Sequence, residues 1–211
     1  MKNLEIIFHL NGTGVYYNPG EPIHLDALMA WVEIPKFVEL DNIQKSDKPF
    51  DVPLPLEKWE INGQWVWKAS ALFPGKVPFE SIQYWRKKFR MNKIEIMEGS
   101  VNTKQGRFRE YNTPMCLILT PFLKGWCVGN KNKVKKILSK IKYLGKKTAY
   151  GKGKVTAIEI KEIDNDYSLW KDDKTTRWLP DKNGMKFVRC RPPYWNRIDR
   201  INCKEIEYNL L

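Results

Sequence analysis

Between Lys124 and Lys154 the chain carries eleven lysines and no carboxylate. Ammonium groups are rarely buried without a partner, so this stretch folds only if its few apolar residues turn inward together. Val134, Ile137, Leu138, Ile141 and Leu144 meet that demand, recurring at three- and four-residue steps. The spacing predicts an amphipathic helix with Lys131, Lys133, Lys135, Lys136, Lys140 and Lys142 on its other faces and Gly145 as its C-cap. Basic residues at that end also suit the helix dipole. Beyond it runs a glycine-punctuated segment, Gly145-Lys-Lys-Thr-Ala-Tyr-Gly-Lys-Gly153.

The formal charge of the 211 residues is +13, and it is unevenly placed. Residues 1–105 hold 13 basic and 13 acidic side chains, residues 106–211 hold 24 and 11, and 111–158 contain no acid. A one-signed field of this kind draws a polyanion to one face, which makes nucleic acid the expected partner. Nine Trp, nine Tyr and nine Phe within 42% hydrophobic content exclude a disordered basic tail. The absence of a long apolar run or a secretory start predicts a cytoplasmic protein with no membrane partner. Cys116, Cys127, Cys190 and Cys203 are widely spaced and only His9 and His24 offer imidazole. Reduced, packing thiols are expected, with no metal and no cofactor.

Leu4, Ile6, Phe8 and Leu10 alternate, predicting an opening strand that ends at the turn 11–14, with His9 on its less buried face. Ile23, Ala27, Leu28 and Trp31 predict a short buried helix, and 49–55 a proline-rich connection. Residues 61–64 read as a tight turn, and Trp65 to Phe73 as strand-forming until Pro74-Gly75. Residues 81–113 form a basic excursion in which rings and cations interleave, followed by a strand at 116–119. Val155, Ala157, Ile158, Ile160 and Ile163 predict another strand, and Met185 to Val188 a short one. The order is that of an α+β, ferredoxin-like sandwich. With no repeat or linker evident, 1–211 reads as a single domain with an aromatic-proline extension at about 170–211.

Gly145, Gly151 and Gly153 can bring the main chain close to a ligand, while Lys146, Lys147, Lys152 and Lys154 supply positive charge. Tyr150 offers a ring for stacking or a hydroxyl for phosphate. The bland alternative is a helix cap followed by a hairpin-like turn. Lys136 and Lys140 either extend the positive surface or form a solvated helix face. In the excursion Trp85, Arg86, Arg90, Arg107, Phe108 and Arg109 either grip single-stranded nucleic acid or clasp a neighbouring subunit. Trp178 and Trp195 read as packed rings covered by Arg177 and Arg191. Catalysis finds little support: His24 reads as a hydrogen-bonded structural histidine and is the candidate base only if the chain cleaves RNA. Asp26 has no second acid at metal-binding spacing.

The glycine segment, running into Lys154-Val155, resembles the glycine-rich loop of the RAMP superfamily of CRISPR-associated RNA-binding proteins. Pro22 to Trp31, Arg177-Trp-Leu-Pro180 and Arg191-Pro-Pro-Tyr-Trp195 resemble the subgroup of type IV systems, the small subunit that caps the 5′ end of the guide RNA. The resemblance implies an RNA-recognition-type core, with the RNA role on Gly145, Lys146, Lys147, Tyr150, Gly151 and Gly153. It implies a non-catalytic subunit bound to single-stranded guide RNA, with adjacent effector subunits and target DNA as further partners. Thr148-Ala-Tyr150 departs from the arginine or serine that many relatives carry. Two alternatives stay open: a metal-independent RNA-processing endonuclease of the same superfamily, and a basic module meeting an acidic protein.

Overall fold

Leu4, Ile6 and Phe8 alternate along β1 (Lys2–Leu10) and have no exposed surface, which sets the inner face of a central sheet. The structure, a computed structural model, describes residues 1–18, 20–34, 51–61, 63–76, 79–89, 102–194 and 196–209. Arg90, Trp195 and the start of the 49–55 connection lie outside them. β1 pairs antiparallel with β8 (Phe122–Gly129) on one side and β9 (Val155–Glu162) on the other. The short β5 (Phe73–Pro74) pairs with the outer edge of β8, giving the order β5-β8-β1-β9. Helix α1 (Leu25–Glu33) follows β1 and helix α2 (Lys131–Leu138) follows β8. This is a ferredoxin-like α+β core. Leu25, Met29 and Ala30 of α1 and Val134, Ile137 and Leu138 of α2 join the β1 residues in one apolar cluster.

Between β5 and β8 the chain leaves the sheet as a long antiparallel ribbon. Its strands β6 (Phe79–Lys87) and β7 (Tyr111–Leu119) pair from Phe79↔Leu119 to Lys87↔Tyr111. β2 (Val15–Tyr16) adds to the base of β7, opposite Leu117 and Ile118. β3 (Lys58–Ile61) and β4 (Gln64–Trp67) form the hairpin expected around residues 61–64.

The far face of the central sheet is closed by the C-terminal residues. Tyr167 and Tyr208 pack edge-on against Trp126 of β8, and Tyr208 also against Phe73. Here β10 (Trp170–Lys171) pairs with β11 (Lys174–Thr175), and β14 (Ile201–Lys204) lies between β12 (Leu179–Pro180) and β13 (Lys186–Val188). Leu169, Trp178, Leu179, Cys190 and Cys203 form a further apolar cluster with Val66. The four cysteines are free thiols, three of them buried. No helix among the described residues is long and apolar enough to cross a membrane.

Four local expectations are corrected. Helix α1 buries Leu25, Asp26, Met29, Ala30 and Glu33, while Trp31 is 70% exposed. The face is rotated because Asp26 turns inward to meet Arg177, 3.3 Å away, with both side chains wholly buried. Arg177 therefore does not cover Trp178; Arg191 lies over the Trp65 ring instead, 4.8 Å from its centroid. The lysine-rich helix stops at Leu138, and Gly145 is not its cap. Ile141 and Leu144 are buried nonetheless, on an extended return where Leu144 N–H donates to the Gly153 carbonyl and Val155 N–H to that of Lys142. Cross-strand pairing has displaced two more helical turns. Finally, 65–73 is split into β4 and β5, joined by single bridges of Ala69 to Cys127 and Ala71 to His24.

Candidate nucleic-acid interface

The glycine segment lies where the return from α2 enters β9, and sterics fix its path. At Gly145, φ is +78° and a Cβ would stand 2.6 Å from the Tyr16 carbonyl oxygen. At Gly153, φ is +67° and a Cβ would stand 1.9 Å from that of Leu144. No other residue fits at either point. Lys147 is also left-handed, at φ 59°, where a side chain is strained, and opens the single 3-10 turn Thr148–Tyr150.

This turn is docked, not free. Tyr16 and Lys146 form a β-bridge, and Gly153 N–H donates to Gly14 carbonyl. Thr13 Oγ1 donates to Gly151 carbonyl at 2.8 Å, and Lys152 Nζ to Thr13 carbonyl at 2.9 Å. The N–H groups of Tyr150 and Gly151 bond back to Lys147 and Thr148. The amides of Gly151 and Gly153, two of the three glycines expected to bring main chain to a ligand, are thus engaged internally, as is that of Tyr150, so anion contacts from this part of the turn fall to side chains.

On its outer side the turn meets the ribbon. Lys147 Nζ sits 3.7 Å above the Trp85 ring, and Tyr150, 65% exposed, packs edge-on against the same ring at 4.7 Å. Trp85 Nε1 donates to Tyr111 Oη at 3.1 Å, fixing the indole. Arg109 shares a hollow of about 360 Å³ with Trp85, Tyr111 and Lys147. Arg86, the next residue along β6, points to the opposite face, where Nε donates to Asn112 Oδ1. Arg107 and Phe108 lie further out in the 3-10 turn Gly106–Phe108, where Phe108 packs against Phe89 and Lys87 Nζ reaches Arg107 carbonyl. Lys154 is exposed beside Tyr143. Lys136 and Lys140 line another groove, between the helices, with Glu33 and Lys133. Arg90 falls outside the described residues.

A second cavity of about 360 Å³ opens between the glycine turn and the ribbon base. Tyr16, Tyr17 and Glu21 line it and were not legible as site residues. Their only sequence signal is Val15-Tyr-Tyr17 set between two glycine turns.

His24 stands apart from these surfaces. Its ring stacks on Tyr194 at 4.6 Å and tilts against Trp178 at 4.5 Å. Burial, then the Arg177 guanidinium, holds its pKa well below the usual histidine range. Neither ring nitrogen has a hydrogen-bond partner among the described residues, so the structural histidine is held by stacking. Sealed from solvent and neutral, it is not placed to act as a base on RNA. His9, half-exposed, lies 3.5 Å from Glu159. Among the described residues no group of three or more His, Cys, Asp and Glu side chains is arranged to hold a metal.

No curated protein matches the chain. The family described as CRISPR type IV associated protein Csf3 matches residues 2–102 and 83–206, two overlapping stretches covering nearly its whole length. The chain therefore belongs to the Csf3 family and is a non-catalytic RNA-binding subunit of type IV CRISPR effector complexes.

Proposed function

We propose that this subunit holds the 5′ handle of the guide RNA on the surface where the glycine turn meets the ribbon. The observation that carries this reading is the junction of Lys147 and Tyr150 on Trp85, which makes one surface of two distant segments. Lys146 and Lys147 meet phosphates, with Lys152 and Lys154 adding charge at the turn's edge. Tyr150 and Trp85 receive splayed bases, and Arg109 adds a flat cation beside them. The opposite ribbon face, with Tyr84 53% exposed beside Arg86, meets an adjacent subunit. Target DNA is read by the guide's base pairing, not primarily by this chain.

Fluorescence anisotropy with a short single-stranded RNA, measured across a salt series, tests the reading. For single strands the salt slope is about −0.7 per neutralised phosphate. Replacing Lys146 and Lys147 together by alanine lowers the slope by about 1.4 and weakens binding at every salt concentration. An unchanged slope and affinity in that double variant would remove the glycine turn from the interface.

A further inference from the structure

We infer that the cavity beside the glycine turn is a nucleobase pocket selective for guanine, read by Glu21 and Lys146. This rests on the proposed binding of single-stranded RNA at the turn and names what the turn's inner side would recognise. The cavity, about 360 Å³, falls within the roughly 300–1,000 Å³ typical of small-ligand sites. Its walls are mostly apolar, with Tyr16, Ile23, Ile82 and Met115 among them. Apolar walls of this kind, with the Tyr16 ring among them, suit a base removed from its stack.

Glu21 is the one carboxylate among the described residues lining the pocket, at the edge of a strongly basic surface. It is held by the turn 18–21, where its N–H donates to the Asn18 carbonyl and the Asn18 side chain accepts from Gly20 N–H. Lys186 Nζ braces the same turn from the C-terminal side by donating to the Gly20 carbonyl at 3.1 Å. Lys146 Nζ lies 4.0 Å from Glu21 Oε2, too far for a hydrogen bond, and the side chains are 72% and 67% exposed. The two groups stand side by side with capacity left for another partner.

Their chemistry picks one base. A carboxylate is acceptor-only and can take two parallel N–H donors, while an ammonium only donates. Guanine presents the matching edge: N1–H and the N2 amino group for Glu21, with O6 beside them for one of the three N–H donors of Lys146, the others remaining for phosphate. Adenine and cytosine each set a ring-nitrogen acceptor beside a single amino group, which would oppose the carboxylate. Uracil offers one N–H between two carbonyls.

The test uses the full chain and a set of short single-stranded RNAs differing at one position. At that position each carries guanine, inosine (guanine without its N2 amino group), adenine or uracil, and the position is moved along the strand. At one register guanine should bind about tenfold tighter than the other three, the scale of a good bidentate base contact. Glu21→Gln, at an exposed position where the fold is preserved, should bring guanine RNA down to the inosine level, with the melting temperature checked alongside. Equal affinity for all bases at every register overturns the pocket and leaves the handle reading standing. Absence of RNA binding altogether overturns both. Competition by free guanosine monophosphate at the oligonucleotide's own affinity overturns the assignment to an RNA base.

Discussion

His24 and Arg177 show how far single residues depart from their sequence appearance. The imidazole lies between Tyr194 and Trp178 with its nitrogens unbonded, and the folded protein keeps it neutral. Its folded pKa lies below its unfolded one, near 6.5, so the unfolded chain binds the extra proton first. The stabilisation is whole above that value and is lost as pH falls below it toward the folded pKa. In that window the loss is about 1.4 kcal/mol per pH unit. Urea midpoints should therefore drop between pH 7 and pH 5, and His24→Phe should flatten the drop. An equally steep loss in the variant would assign the dependence to another group; Asp26 is not that group, because burial raises its pKa and its contribution would grow, not fall, on acidification. Nothing in the local sequence announces this arrangement. It depends on Arg177 reaching across the chain to Asp26, and no periodicity relates positions 151 residues apart. Lysines, by contrast, were legible as exposed because an ammonium group pays heavily for burial wherever it falls.

At the scale of elements, the ribbon and the glycine turn are separate in sequence and meet at Trp85. Replacing Trp85 by alanine removes the platform under Lys147 and Tyr150 without touching the backbone pairing of β6 and β7. RNA affinity should fall about tenfold, since base–aromatic stacking is worth roughly 1–3 kcal/mol per base. Arg86→Ala, on the other ribbon face, should weaken RNA binding less. Anisotropy on both variants, with circular dichroism as the folding control, checks the order; a reversed order would move the RNA to the Arg86 face. The central strands were readable because alternation is a direct imprint of a half-buried sheet. The ribbon was readable as an excursion, but its two faces needed the register, which places Trp85 opposite Thr113 and Arg86 opposite Asn112. The end of α2 was misread for a physical reason. Ile141 and Leu144 keep helical spacing, yet a turn at 139–140 followed by an extended return buries them equally well. Burial alone does not distinguish those two paths.

For the molecule as a whole, the question is whether residues 170–211 are an appendage or part of one folding unit. Arg177 sits in the interior with its guanidinium bonded to Asp26, to the carbonyls of Trp67, Ala69 and Cys190, and to Tyr194. Tyr194 in turn donates to the Asp26 carboxylate at 2.9 Å. A second cluster ties Asp51 to Arg189 and Arg191, each at 3.0 Å, with Asp199 3.2 Å from Arg191. Add the rings of Tyr167 and Tyr208 over Trp126, and the core has no finished far face without the C-terminal residues. We therefore propose a single cooperative domain spanning the chain. Urea unfolding followed by tryptophan fluorescence and by far-ultraviolet circular dichroism should give coincident single transitions. Arg177→Met strands a buried carboxylate, and breaking such a pair typically costs about 3–5 kcal/mol. That loss should lower the midpoint of the entire transition in both probes. Two separated transitions, with only the later one insensitive to Arg177→Met, would divide the chain into two units. The glycine turn would then be carried by a core able to stand without its C-terminal cover. A single shifted transition instead makes the RNA surface and the buried Asp26–Arg177 pair parts of one equilibrium, because Lys186 of the C-terminal sheet braces the turn that carries Glu21.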